Sequence, residues 1–150
     1  MNKFLNSIKH YYLKIPEILR FAIISIFNTI IGFIVVFAMY HLASKVNYNL
    51  LLVFSYLIII SFSFVTNKFL VFTNATGTVT YQYLKTVFVY VINILINAMV
   101  IIVLINYANF SQENSQIIGA IVLFICTYFL LKYFAFKDLH FKLLKKPTAK

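Results

Sequence analysis

Charged residues are so sparse in this chain that they act as fences around long apolar runs. Arg20 and Lys45 enclose 24 uncharged residues, Lys45 and Lys68 enclose 22, Lys85 and Glu113 enclose 27, and Glu113 and Lys132 enclose 18. A helix needs about 20 apolar residues to cross the hydrocarbon core of a bilayer. The pattern therefore predicts four spanning helices near Leu19–His41, Tyr48–Asn67, Thr86–Tyr107 and Ser115–Leu131. The runs do not alternate apolar with polar positions as barrel strands do, and a helix satisfies its backbone groups within one segment, as hydrocarbon demands. Ahead of the first span, Phe4, Ile8, Tyr11 or Tyr12, and Ile15 recur at helical spacing with Lys3, Asn6 and Lys9 between them. That spacing predicts an amphipathic interfacial helix over residues 1–15, with Pro16 placed in the first turn of the span that follows, where its missing N–H costs nothing.

Composition strengthens the membrane reading. Hydrophobic residues make up 63% of the 150 positions and charged residues only 11%, against roughly a quarter charged in ordinary soluble domains. A chain of this size buries only about two-thirds of its unfolded surface, too little to hide so much apolar area from water. Thirteen Lys and Arg against three acids give a formal charge of +10; together with the apolar excess this points to anionic lipid as a partner and away from nucleic acid. Twelve of the thirteen basic residues fall before the first span, between spans two and three, or after span four, and only Lys45 lies on the other side. Positive residues stay cytoplasmic, so both termini and the middle loop are expected inside. Met1 to Lys14 is basic and amphipathic and does not read as a cleavable leader.

The two halves echo each other. A shift of 65 places Arg20 on Lys85, Asn28 on Asn93 and Gly32 on Asn97, and a shift of 64 places Ser63 on Thr127, Lys68 on Lys132 and Phe72 on Phe136. Each unit holds two spans, so the repeat is parallel, unlike the inverted repeats of many secondary transporters. The expected architecture is an all-α membrane protein of four transmembrane helices arranged as two parallel-repeat hairpins. It forms one domain over 1–150, with repeat one at 16–72, a polar linker at 73–80, repeat two at 81–138 and a basic tail at 139–150.

Four cations, Arg20, Lys68, Lys85 and Lys132, take matched places at one mouth of the bundle, with Phe72 and Tyr81 among the aromatics nearby. Flanking lysines and aromatic belts anchor most membrane helices, but matched positions in both halves favour a shared anion site. Within the spans, Asn28, Ser63, Asn67, Asn93 and Asn97 need partners, because an amide in hydrocarbon is expensive alone. Interhelical hydrogen bonding explains Ser25 and Thr29; for Asn67 and for Asn93 with Asn97, four apart and so on one face, a binding role stands beside it.

Several chemistries are disfavoured. Glu17, Glu113 and Asp138 all lie at edges or in loops, whereas cation-coupled carriers usually keep an acid within the membrane; a small ion or drug exporter ranks low. His10, His41 and His140 show no metal spacing, Cys126 is alone, and no phosphate loop or paired catalytic carboxylates occur. Neither an enzyme nor a cofactor or metal site is expected.

The Arg20-Phe21 entry to span one, the Asn28-Thr29 and Gly32 stretch after it, the Asn67-Lys68-Phe69-Leu70-Val71-Phe72 close of span two and its weaker echo at Lys132-Tyr133-Phe134-Ala135-Phe136 resemble the GtrA-like family of small four-span membrane proteins. Lys68 stands where arginine is common in that family, exchanging a forked donor for a point charge, and Thr127-Tyr128 stand where the family often has an asparagine. The resemblance implies a bacterial plasma-membrane flippase for a monosaccharide on a polyprenyl phosphate such as undecaprenyl phosphate. Its implied partners are the sugar lipid and a membrane glycosyltransferase that consumes it outside. The alternative is a non-transporting subunit that docks or positions such a glycosyltransferase. Four helices leave little room to enclose a headgroup, so a homo-oligomer is a further expectation, although Gly32 and Gly119 form no Gly-xxx-Gly face.

The charge asymmetry yields a direct test of orientation. In a Cys126→Ser background, Ser44→Cys should react with a membrane-impermeant maleimide added to intact cells, and Thr76→Cys should react only after the cells are opened. The reverse pattern would overturn the assignment.

Overall fold

The computed structural model describes residues 11–42 and 47–137. Four helices account for most of them: α1 (Glu17–Leu42), α2 (Tyr48–Thr66), α3 (Val79–Asn106) and α4 (Gln112–Leu130). Two π-helical turns, π1 (Asn67–Val71) and π2 (Leu131–Ala135), continue α2 and α4 without a break. With these continuations the helices run Glu17–His41, Tyr48–Val71, Val79–Asn106 and Gln112–Ala135, each long and apolar enough to cross a membrane. The chain is thus an all-helical, multi-pass membrane protein. The interfacial helix expected over 1–15 falls within the described residues only from Tyr11 on, and the basic tail and Lys45 lie outside them.

Local sequence sets the helix starts. The Pro16 carbonyl accepts from Leu19 and Arg20 N–H at 2.9 and 3.1 Å, opening α1. Asn47 caps α2 by accepting from Asn49 N–H at 2.9 Å, and Ser111 caps α4 by accepting from Asn114 N–H at 3.3 Å; short polar side chains at these positions satisfy amides that the helix leaves free. Gly77, at φ 126°, takes a backbone conformation closed to most L residues in the turn before α3.

Three predicted boundaries move. Span two runs to Val71, beyond Asn67, and span four to Ala135, beyond Leu131, while the third helix begins at Val79, not Thr86. The first two extensions share one cause. Phe72 N–H donates to the Asn67 carbonyl and Phe136 N–H to the Leu131 carbonyl, both at 2.8 Å, an i→i+5 pattern that widens the helix by one residue per turn. Backbone groups stay satisfied past the lysines, and the face offset turns neighbouring side chains inward together. Val71 and Phe72 are both buried, as are Ala135 and Phe136. The third extension follows from Gln82, whose side-chain amide donates to the Thr76 carbonyl at 3.1 Å and ties the helix to the preceding turn.

α1 packs on α2 and π1, α3 packs on α4 and π2, and α2 meets α3 between the two pairs. The closely packed part of the bundle lies at the end that holds residues 11–16, π1, the 72–78 turn and π2, termed here the basic end. Phe21, Phe64, Val71, Phe72, Val89, Tyr128, Leu131, Ala135 and Phe136 form its core. The rings are exchanged between the pairs: Phe72 stacks on Phe136 with centroids 4.8 Å apart, Phe64 stacks on Phe136 at 5.9 Å, and Phe72 on Tyr128 at 6.3 Å. Toward the opposite end the buried positions thin to Leu51, Ser55, Ser115 and Gly119, and side chains such as Phe33, Phe37 and Met99 face outward.

Removing a ring from this exchange should be costly. Phe72→Ala is expected to destabilise the detergent-solubilised protein by on the order of 3 kcal/mol, while Phe69→Ala, at an exposed neighbour, stays within about 0.5 kcal/mol. Denaturant unfolding in mixed micelles, followed by circular dichroism, compares the two.

Candidate functional site

Ser63 is the hub of the polar interior. Its Oγ accepts from Asn28 Nδ2 at 3.3 Å and from Asn67 Nδ2 at 3.1 Å, and it is hydrogen-bonded to the Tyr90 hydroxyl. Asn67 Nδ2 also donates to the Ser63 carbonyl at 2.8 Å, and the Thr66 hydroxyl donates to Asn28 Oδ1 at 3.0 Å. Five side chains from α1, α2, π1 and α3 are joined in this way, and Asn28, Ser63, Thr66 and Asn67 are all buried. A second, smaller cluster links α3 to α4: Asn93 Nδ2 donates to Thr127 Oγ1 at 2.8 Å. Asn97, on the same face one turn along, lies against Gly119, where an added Cβ would stand 3.4 Å from Asn97 Oδ1. Among the described residues, buried Asn67 Oδ1 and Asn93 Oδ1 receive no hydrogen bond.

The cations occupy the basic end, each in its own setting. Arg20 is buried; its guanidinium donates to the Leu70 carbonyl at 3.3 Å and lies 5.7 Å from the Tyr12 ring, while its Nε has no acceptor among the described residues. Tyr12 donates to the same carbonyl at 3.1 Å, and burial pushes its phenol above the ordinary value, with Arg20 opposing. Lys85, only 8% exposed, lies between the rings of Tyr81 at 4.4 Å and Phe134 at 5.2 Å. Lys68 donates to Gln82 Oε1. Lys132 pairs with Glu17 Oε1 at 2.9 Å and donates to the Tyr128 hydroxyl at 3.0 Å, which itself donates to the same carboxylate at 3.1 Å.

Several of these contacts recur at sequence offsets of 64 or 65. Asn28–Ser63 corresponds to Asn93–Thr127, Lys68 over the Phe64 ring to Lys132 over the Tyr128 ring, and Arg20 at Leu70 to Lys85 at Phe134. Lys68–Gln82 and Lys132–Glu17 also correspond, and each bridges from one helix pair to the other.

The structure brings Asn28, Ser63 and Asn67 together and places Asn93 with Thr127, Asn97 against Gly119, and Tyr81 beside Lys85. It distributes Arg20, Lys68, Lys85 and Lys132 among separate neighbours, and it sets Phe72 within the aromatic core. Tyr90, Thr66, Thr127 and Ser25 join these groups without standing out as site residues in the sequence, where Ser25 reads as an interhelical hydrogen-bonding residue and Thr127 as the match of Ser63. Tyr90 looks there like any aromatic in an apolar run; Ser25 is the position 65 before it and was the one available signal.

A cavity of about 530 Å³ adjoins the hub, within the roughly 300–1,000 Å³ range of small-ligand pockets. Its walls are mainly apolar, Phe21, Leu123 and Phe124 among them, and Ser25, Asn28 and Thr29 of α1, Ser63 of α2, Tyr90 of α3 and Thr127 of α4 set uncharged polar groups into them. It is half open, and its lining comes mostly from α1 and α4, which meet near the basic end through long side chains: Phe21 against Phe124 and Tyr128, and Glu17 against Lys132. A larger cavity of about 630 Å³, toward the other end between α1 and α2, is lined by Phe33, Phe37, Tyr40, Leu51 and similar side chains, with almost no polar group to hold a headgroup.

The family model for the GtrA/DPMS transmembrane domain matches residues 20–136, which runs from the buried arginine to the last ring of the aromatic core. The chain belongs to the GtrA/DPMS transmembrane-domain family. This membership connects it with membrane functions concerned with polyprenyl-phosphate sugars, and the family is generally of a non-catalytic, translocase type. No curated protein and no solved structure matches the chain. Among the described residues, no group of three or more His, Cys, Asp or Glu could hold a metal ion.

The interhelical amide bonds should be measurable as couplings. In a double-mutant cycle, Asn28→Ala and Ser63→Ala are expected to show about 1 kcal/mol of interaction energy. Micellar unfolding measures it; additivity within error would remove the hub from the account of stability.

Proposed function

We propose that this GtrA/DPMS-family protein is a flippase that carries a polyprenyl-phosphate-linked monosaccharide from the cytoplasmic to the outer leaflet of a bacterial plasma membrane. The observation that carries the reading is the succession of sites along the bundle: buried cations at the basic end, then a half-open cavity of about 530 Å³ lined by hydroxyls and an amide. From Arg20 to Asn28 the helix rises about 12 Å, so a lipid phosphate and its sugar meet different chemistry in sequence. Desolvating a sugar costs a few kcal/mol for each polar group left unpaired, and the hydroxyls and amides of the cavity replace the lost water. The opening between α1 and α4 leaves the lipid tail in hydrocarbon.

The chain is two parallel-repeat hairpins in this reading, with both termini inside. The offset contacts support it, since corresponding pairs join corresponding helices. Lys132 is already neutralised by Glu17, whereas Lys85 and Arg20 have no carboxylate neighbour among the described residues; these two are the principal phosphate-capturing groups, with Lys68 beside them. No acid lies within the apolar stretches to couple an ion, so transport runs downhill and is drawn outward by a glycosyltransferase that consumes the sugar lipid.

Proteoliposomes loaded with a labelled polyprenyl-phosphate hexose test this. The wild-type chain should expose the sugar to an external modifying reagent within minutes, and Lys85→Ala should slow exposure at least tenfold at equal protein level. Exposure no faster than in empty vesicles would favour the docking-subunit reading.

A further inference from the structure

We propose that Tyr90 is a specificity-determining residue of the cavity, its phenolic hydroxyl hydrogen-bonded to a hydroxyl of the sugar; the inference rests on the sugar-lipid reading above and deepens it. The argument is an accounting of donors and acceptors around Ser63. A serine hydroxyl has one hydrogen and two lone pairs. Asn28 Nδ2 and Asn67 Nδ2 both donate to Ser63 Oγ. Asn67 is held in this sense because its Nδ2 also donates to the Ser63 carbonyl, while the one hydrogen of Thr66 is shared among Asn28 Oδ1 and the Phe62 and Ser63 carbonyls. Either hydroxyl can donate in the Ser63–Tyr90 bond. With Ser63 donating, the Tyr90 hydrogen is unused; with Tyr90 donating, its oxygen keeps an unused acceptor site. Tyr90 lines the cavity, and among the described residues Ser63 is the one side-chain partner of its hydroxyl.

A phenol in this state selects for an oxygen that can form a hydrogen bond within the cavity, and a hydroxyl can meet it in either sense. The choice between phosphate and sugar follows from charge. The lining of the cavity holds no cation, and a phosphodiester taken into it would lose water with no counter-charge, a cost far above that of a neutral hydroxyl or ring oxygen. The phosphate stays with the buried cations, and the sugar meets Tyr90. Because the phenol is fixed by Ser63 and, through it, by Asn28 and Asn67, its hydroxyl is oriented before the headgroup arrives, which limits the ordering cost of binding.

The test compares two ligands on the purified full chain in detergent: a polyprenyl phosphate carrying one hexose, and the same polyprenyl phosphate without it. Tyr90→Phe removes one oxygen and keeps the ring. It should weaken binding of the hexose-bearing lipid about tenfold while changing binding of the sugarless lipid less than twofold. An equal loss for both lipids would make Tyr90 a structural residue and overturn the proposal, as would no loss for either. A wild-type chain that binds the hexose lipid more tightly than the variant yet fails to move it in proteoliposomes would sink the flippase reading and leave the role of Tyr90 standing. A wild-type chain that does not distinguish the two lipids would sink the Tyr90 proposal whatever the transport assay shows.

Discussion

Hydrocarbon offers no hydrogen-bond partner, and that single property organises the interior of this protein. In water, the ring cluster at the basic end would gain about 25 cal/mol for each square ångström it hides. In a bilayer the tails are as apolar as the rings, so association rests on close packing and on polar groups finding one another. Asn28 and Asn93 cannot sit in their spans alone; each reaches a hydroxyl on the second helix of its pair, Ser63 or Thr127. Those two bonds set the rotation of α1 on α2 and of α3 on α4. Once the rotation is set, Phe64, Phe72, Tyr128 and Phe136 fall on the inner faces and can interleave. The same constraint explains the π turns, where the backbone remains bonded while the helix face shifts enough to bury two adjacent side chains.

Much of this was legible in the sequence because charges mark where hydrocarbon stops. Arg20, Lys45 and Glu113 delimit the apolar runs to within a few residues of the observed helix starts, whereas Lys85 lies inside α3, six residues past its start. The ends of α2 and α4 were misjudged for a physical reason: a lysine after an apolar run normally marks the water boundary, but a long side chain can lie along apolar surface and reach a polar group from inside the helix. Lys68 and Lys132 do this, on Gln82 and Glu17. Neither partner could be paired with its lysine from sequence, since each lies on the other helix pair and the π turns that present the lysines have no sequence signature. Among the polar groups, Asn28, Ser63 and Asn67 were picked out because amides in hydrocarbon demand explanation. Tyr90 was not, because a tyrosine in an apolar run carries no such demand, and its hydroxyl matters only through its contact with Ser63.

In the proposed two-repeat arrangement, the positions where the halves differ are as informative as those where they agree. Leu131 stands in π2 where Asn67 stands in π1, so only one half builds a five-membered polar hub. Gln82 answers Glu17, so only one of the two bridges between helix pairs carries a charge on both sides. Gly32 answers Asn97, so α1 meets Ile59 with bare backbone, an added Cβ standing 3.6 Å from Ile59 Cδ1, where α3 presents an amide to Gly119. The cavity lies on the side where these differences gather hydroxyls: α1 contributes Ser25, Asn28 and Thr29, and the hub contributes Ser63 and Tyr90. A symmetrical scaffold would offer two equivalent grooves, and these substitutions enrich one of them in polar groups.

The charge distribution bears on how such a protein could release what it binds. A buried cation matched to a carboxylate is a closed pair, and breaking it leaves an uncompensated charge at a cost of several kcal/mol. Of the four cations at the basic end only Lys132 has a carboxylate partner among the described residues, and both it and Glu17 are about a third exposed, so solvent softens the pair. Lys68 rests on a neutral amide, Arg20 on a carbonyl, and Lys85 between two rings. Those neutral partners hold the side chains in place without cancelling their charge. A phosphate can exchange for them at modest cost in either direction, whereas a row of carboxylates would exclude it and a bare cluster of cations would trap it. In the proposed reading, neutral groups beside buried Arg20 and Lys85 suit a passing anion, and their spacing from the cavity would keep the charged and uncharged parts of a headgroup on separate partners.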